Sequence, residues 1–264
     1  MAIVNATPDS FYSSSRTQSH DAVVERVREA IDEGATIIDI GGYSSRPDAT
    51  DVSLEEEWCR VEMALKATRE VSSEVAISID TFRSEIVRRT VAQFGEIIVN
   101  DITAGKGDSS MLATVAELGV PYIAMHMRGT PQTMQQQAKY ADVVADVISE
   151  LSERLQAIKK AGIELKKVAL DPGFGFAKST EQNFELLSGL HKLKELGQPL
   201  LVGVSRKSMI YKTLGITPEE SLAATQAVHW EALRQGATIL RVHDVREAVE
   251  TIKLYEKFIE NDKG

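Results

Sequence analysis

Cysteine is almost absent. Cys59 stands alone among 264 residues, so no internal disulfide can form and no cysteine metal cluster can be built. Long apolar runs are missing too. No stretch approaches the roughly 18 residues that a membrane helix needs, and no membrane partner is expected. The opening MAIVNATPDSF lacks the basic region and extended apolar core of a signal peptide. These absences favour the cytoplasm. Aromatic residues are scarce, at 6%, against 43% apolar residues, a balance that suits an aliphatic core of Val, Ile, Leu and Ala. Positive charge is also short: 30 Lys and Arg against 39 Asp and Glu give a formal net charge of −9. That argues against a general affinity for nucleic acid or acidic lipid. Cations that serve an anionic substrate must therefore be concentrated locally. The run Glu55-Glu56-Glu57 reads as the solvated face of a helix. No HExxH sequence or His/Cys cluster indicates zinc, and no GxxxxGK[ST] sequence indicates a P-loop.

What is present is a regular alternation. Compact apolar runs at Ala2–Asn5, Thr36–Ile40, Val75–Asp80, Ile97–Asn100, Pro121–His126, Lys167–Asp171, Pro199–Gly203 and Thr238–Val242 read as parallel strands covered on both faces. Amphipathic stretches separate them. The clearest lies near 140–161, where Val144, Val147, Ile148, Leu151, Leu155 and Ile158 recur at helical steps. Gly34, Gly95, Gly119, Gly162, Gly197 and Gly236 punctuate the passage from helix to strand. Strand-then-helix units repeated eight times predict an α/β fold, a (β/α)8 TIM barrel of one domain spanning 1–264. A doubly wound open sheet is the alternative, although it usually has fewer strands at this length. The longest non-periodic stretches, 6–19, 41–52, 127–139 and 205–217, all follow strands. In such barrels these are the loops that build the active-site face.

The strand ends are polar: Asn5, Asp39, Asp80, Asn100, His126, Asp171 and, at the eighth strand, Arg241 and His243. A carboxylate ending an apolar run is costly to bury without partners. Taken singly, each could be a capped core group, but together they predict a polar pocket at the barrel mouth. Asp80, Asn100 and Asp171 suit a flat heterocycle bearing N–H and NH2 donors, and Lys207 adds a donor for a ring carbonyl or nitrogen. Arg46, Arg241 and His243 suit a phosphate-type anion. Asp39, close to Gly41-Gly42, is expected to orient that turn rather than touch substrate. His126 is expected to be a satisfied core histidine, and Arg206 a structural ion-pair partner. His20, His191 and His229 read as surface or packing residues. In the loop Asp171-Pro-Gly-Phe-Gly-Phe-Ala-Lys178, glycines allow close backbone approach and two phenylalanines offer flat apolar faces. We assign Phe176 to the substrate and Phe174 to packing; a tight turn with both rings beneath it is the alternative.

These motifs resemble the dihydropteroate synthase family across nearly the whole chain. The matching segments are IVNATPDSF (3–11), DIGGYSSRP (39–47), SIDT (78–81), VNDI (99–102), MHMRGTPQTMQ (125–135), LDPGFGF (170–176), LLVGVSRKSMI (200–210) and RVHDV (241–245). The resemblance implies an enzyme that joins 6-hydroxymethyl-7,8-dihydropterin diphosphate to p-aminobenzoate. It implies that Asp80, Asn100, Met125, Asp171 and Lys207 hold the pterin. Asn5, Arg241 and His243 would bind the diphosphate, with Asn5 touching Mg2+ through its side-chain oxygen. Ser45, Arg46, Pro47, Phe176 and Ser208 would form the p-aminobenzoate site. Lys207, Arg241 and His243 carry the catalytic expectation, and the family resemblance also suggests a homodimer.

Three departures from the family pattern stand out. Tyr43 and Ser45 replace the usual Glu and Thr of GGESTRP; Ser45 keeps the hydroxyl, but Tyr43 changes charge and shape near the arylamine loop, so affinity for p-aminobenzoate or sulfonamides is expected to differ. The first loop reads DSFYSSSRT rather than the commoner DSF-x-D-G-G, and only Met1–Val4 precede Asn5, where family members usually carry an earlier segment. Two rival readings share the pterin pocket. A methyltransferase acting on methyltetrahydrofolate would not need SRK and R-x-H arranged for a diphosphate. A non-catalytic pterin-binding protein is favoured by the altered second loop alone.

Overall fold

Strands that alternate residue by residue between two buried faces must place one set of side chains against helices and the other inside the ring. The computed structural model describes residues 1–6, 16–43, 51–130 and 133–262, and its strands follow this rule. In order the elements are β1 (Ala2–Asn5), α1 (Arg16–Asp32), β2 (Ile37–Gly41), α2 (Leu54–Val71), β3 (Ala76–Asp80), α3 (Ser84–Phe94), β4 (Ile98–Asp101) and α4 (Met111–Leu118). They continue as β5 (Tyr122–Met125), α5 (Val143–Lys160), β6 (Val168–Asp171), α6 (Thr180–Ser188), β7 (Leu201–Val202), α7 (Ser208–Leu214), α8 (Leu222–Gln235), β8 (Ile239–Leu240) and α9 (Val245–Asp262).

β1 to β6 form one parallel ladder in chain order, and β7 pairs with β8. Single parallel bridges join the two sets, Leu170 to Leu200 and Ala2 to Val242. Backbone bonds of 2.9 Å from Leu170 N to Pro199 O and from Ile3 N to Val242 O close the ring. The result is the expected (β/α)8 barrel. Every expected strand is present. β7 and β8 are shorter than the runs Pro199–Gly203 and Thr238–Val242, because their flanking residues reach β6 and β1 by single bridges instead of ladders.

The outward residues Ile38, Ile40, Ile77, Ile79, Val99, Tyr122, Leu170 and Val202 are buried in one core under the helices. The inward residues stack in layers. Ile123, Ala169 and Leu201, with Ile98 and Ile239 against them, make an apolar plug. Two positions further along the same strands come Met125, Asp171, Gly203, Asn100 and Arg241. A dry lower layer thus forces the polar layer up to the C-terminal mouth.

Side-chain caps fix where helices begin: Ser53 Oγ accepts from Glu56 N at 3.2 Å for α2, and Asp142 accepts from Val144 N and Ala145 N for α5. The run Glu55-Glu56-Glu57 needs correction as a wholly solvated face. Glu55 pairs with Arg89 and Glu56 with Arg60, but Glu57 is fully buried. It falls one helical turn before Val61, on the face turned to the barrel, where it accepts from Thr81 Oγ1 at 2.6 Å and Arg83 Nη1 at 2.8 Å.

Candidate active site

Arg241, just past β8, organises the mouth. Its Nε donates to Asp39 Oδ2 at 2.6 Å and its Nη2 to Asp80 Oδ2 at 2.7 Å. Asn100 Nδ2 lies 3.3 Å from Asp39 Oδ2. The expected pocket residues Asp80, Asn100 and Arg241 therefore meet, and Asp39 is what joins them. Its expected role as a turn-orienting residue is corrected: between outward Ile38 and Ile40, period-two alternation turns Asp39 inward, where it is fully buried as a counter-ion. Two carboxylates share one guanidinium. Burial pushes the Asp80 carboxyl up, to about 7, against the pull of Arg241 and with the added repulsion of Asp39.

Asp171 closes β6 at 6% exposure and accepts from Gly173 N at 2.7 Å. Burial raises its pKa, with Lys207 the strongest opposing charge. Lys207 precedes α7, and its Nζ donates to the Phe174 carbonyl and lies 4.7 Å from the centre of the Phe176 ring. Burial brings its amine down to about 8, while the charges of Asp171, Arg241 and Asp80 all reach it. Ser208 opens α7 immediately after it. Phe174 is fully buried, and Phe176 is half-buried against a wall containing Ile102, Met125 and Met127. Phe174 is thus the packing residue expected.

At the rim Asn5 is exposed at the end of β1. A methyl group on Gly41 would sit 3.7 Å from Asn5 Oδ1 and 3.9 Å from Asp80 Oδ2, so the two oxygens flank that glycine. The exposed His243 holds its Nδ1 at 3.1 Å from Ser205 Oγ. Partial burial, with the charge of Arg241 beside it, brings this imidazole down to about 4, so it faces the mouth as a neutral ring. Arg206 itself is bidentate on Asp244 at 2.8 Å for both bonds, the structural pair expected. Ser45, Arg46 and Pro47 fall within 44–50 and most of the first loop within 7–15, outside the described residues.

Beside the Ile102 and Met127 wall lies a cleft of ≈ 670 Å³ also lined by Tyr43, Phe82, Arg83 and Lys106. The Tyr43 hydroxyl donates to Asp51 Oδ1 at 3.2 Å, and its ring meets Phe82 edge-on with centres 5.0 Å apart.

His126 is the satisfied core histidine expected, at 4% exposure. Its neighbour Lys178 went unassigned in the sequence reading, although it is equally buried. Nothing in the sequence signalled it, since a lysine in a loop ordinarily reaches water; its burial comes from His126 and the Gly173 and Phe176 carbonyls around it.

Among the described residues no group of three or more His, Cys, Asp or Glu could hold a metal ion. A single amide oxygen at an exposed rim fits a hydrated, oxygen-ligated Mg2+ shared with a phosphate ligand, and no protein cage is needed. No helix among the described residues is long and apolar enough to cross a membrane.

A closed parallel barrel whose mouth gathers carboxylates, an amide and cations from distant strands has the make-up of a barrel enzyme for a small polar substrate. Comparisons narrow that class. The sequence pattern of the pterin binding enzyme family matches residues 1–243. The Escherichia coli (strain K12) dihydropteroate synthase is 43% identical over 259 residues, covering 97% of this chain and 90% of that protein. The structure of Xanthomonas albilineans dihydropteroate synthase with 4-aminobenzoic acid superposes with a TM-score of 0.90 at 40% identity, covering 98% of this chain and 92% of that one. The structure of the enzyme from the same organism in complex with 7,8-dihydropteroate gives a TM-score of 0.87 at 37% identity, with coverage of 98% and 92%. The chain belongs to the pterin binding enzyme family, and within it to the dihydropteroate synthases, transferases of folate synthesis.

Proposed function

We propose that this chain condenses 6-hydroxymethyl-7,8-dihydropterin diphosphate with p-aminobenzoate, giving 7,8-dihydropteroate and diphosphate, and that the mouth residues divide the work. Asp80, Asn100, Asp171 and Lys207 hold the pterin, with Met125 in the wall. Asn5, Arg241 and His243 receive the diphosphate. Ser45, Arg46, Pro47, Phe176 and Ser208 form the p-aminobenzoate site. The observation that carries this reading is the Asp39–Arg241–Asp80 junction, which sets a cation beside ring acceptors drawn from distant strands.

As the bond from the methylene carbon to diphosphate oxygen breaks, Arg241 and His243 meet the growing negative charge. The electron-rich pterin bears the positive charge left on carbon, and the arylamine nitrogen attacks that carbon. No covalent enzyme nucleophile is required; Cys59 is exposed and outside every matching motif. Mg2+ would be held through Asn5 Oδ1 and would supply charge neutralisation for the departing diphosphate. The Arg241 and His243 pairing favours this reaction over methyl transfer from methyltetrahydrofolate, where no diphosphate leaves.

Residues 1–264 serve as one domain in this reading, supported by the bridge from Ala2 to Val242 that completes the ring. The cytoplasm is the setting for such small-molecule chemistry. A homodimer is supported by an apolar face on α8 and α9, where Leu254 is 66% and Phe258 53% exposed beside Trp230. The deciding experiment supplies purified protein with Mg2+, the pterin diphosphate and p-aminobenzoate. Diphosphate and dihydropteroate are expected, and Asp171→Asn is expected to weaken pterin binding by about tenfold or more, since one acceptor becomes partly a donor. Binding without turnover would overturn the reading.

A further inference from the structure

Lys178 is 4% exposed and has no part in the reaction as assigned so far. Its Nζ lies 3.0 Å from His126 Nδ1, 3.0 Å from the Gly173 carbonyl and 3.1 Å from the Phe176 carbonyl. His126 Nε2 lies 3.1 Å from Glu150 Oε2. An ionised carboxylate only accepts, so the imidazole proton sits on Nε2 and Nδ1 is an acceptor. Glu150 is held ionised by its bonds to His126 and Arg128, which keep it down at about 2 despite burial. The lysine therefore faces three acceptors, and satisfying all of them takes the three protons of an ammonium. Burial pulls the amine down to about 7 against the charge of Asp171, and the three acceptors around it are the set an ammonium satisfies.

The carbonyls it grips bracket the loop between Asp171 and α6. Gly173 has φ 70°, and a methyl group there would come within 2.0 Å of the His126 carbonyl oxygen. Its N–H is donated to Asp171, and between the two gripped carbonyls the Phe174 carbonyl receives Lys207.

The geometry points to Lys178 as a positioning residue for the condensation: seated on His126, its ammonium fixes the Gly173 and Phe176 carbonyls, and through them Asp171, Lys207 and the Phe176 ring. This rests on the reading above that Asp171 and Lys207 bind the pterin.

The test measures steady-state constants and melting temperature for the full-length Lys178→Met protein. KM for the pterin diphosphate is expected to rise about tenfold or more with kcat within about threefold, since misplaced binding groups weaken capture while the reacting atoms stay unchanged. A lysine with only a structural role would lower the melting temperature and the active fraction, reducing kcat and leaving KM alone; that result overturns the inference. If Lys178→Met does not fold, His126→Leu, which removes one acceptor, is expected to raise the same KM about threefold, and an unchanged KM again overturns it. Asp171→Asn is run beside both. A raised KM there with none in the Lys178 and His126 variants sinks this inference alone, whereas an unchanged KM there sinks the pterin-pocket reading itself.

Discussion

His229 on α8 offers a measurable charge that the fold refuses to accept. Its side chain is fully buried, Nδ1 lies 3.1 Å from Gln226 Oε1, and Nε2 has no hydrogen-bond partner among the described residues. Burial holds the imidazole down at about 4. An ordinary histidine titrates near 6.5, so between these values the unfolded chain binds the proton and the native one does not. Stability from this site is fully present above about 6.5 and is lost as the pH falls through 4. The loss is about 2 kcal/mol at pH 5 and approaches about 3.4 kcal/mol below pH 4. Asp80, raised to about 7, works in the opposite sense over part of the same range. The whole-protein slope therefore mixes signs, and the difference between two proteins isolates one group. His229→Leu fills similar volume and leaves Gln226 Oε1 bonded to Thr251 Oγ1 at 3.0 Å. Urea unfolding at pH 7.5 and pH 5 should show the variant gaining about 2 kcal/mol on the parent at the lower pH. A gap that stays constant between the two conditions refutes the buried neutral imidazole.

Asp39→Ala strips the partly buried Arg241 of one of its two carboxylates at the barrel mouth. A loss of about 3–5 kcal/mol of unfolding free energy is expected, as for other broken buried pairs, and a loss below about 1 kcal/mol in denaturant melts would show that Asp39 is not the needed counter-ion. Phe258→Asp puts a charge into the exposed α8–α9 face. Sedimentation should then report a shift from dimer to monomer, and an unaltered oligomeric state would remove that face from the association.

The barrel was legible because parallel strands buried on both faces leave compact apolar runs, and these survive even where the strand shrinks to Leu201–Val202 or Ile239–Leu240. The polar ends of those runs announced the mouth. What the run of letters does not carry is which strand residue meets which. Asp39 looked like an accessory to Gly41-Gly42, yet its true partner lies 202 positions away. The alternation Ile38-Asp39-Ile40 held the missing clue, since two outward isoleucines leave the residue between them facing in. Glu57 was lost in a run of like charges, because composition cannot tell the one helical position in that run that faces the barrel. Lys178 was hidden for a different reason: a lysine in a loop ordinarily reaches water, and here His126 and the loop's own carbonyls close around it.

The Asp39–Arg241 pair also bears on how the chain is made. As synthesis proceeds from the N-terminus, β2 and β3 are complete long before Arg241 leaves the ribosome. Until then Asp39 and Asp80 have no guanidinium to neutralise them, and a barrel interior that sealed early would enclose two unpaired carboxylates. The cation that pairs them comes from the segment whose bridge to β1 completes the circle, so ring closure and neutralisation of the pocket carboxylates depend on the same few residues.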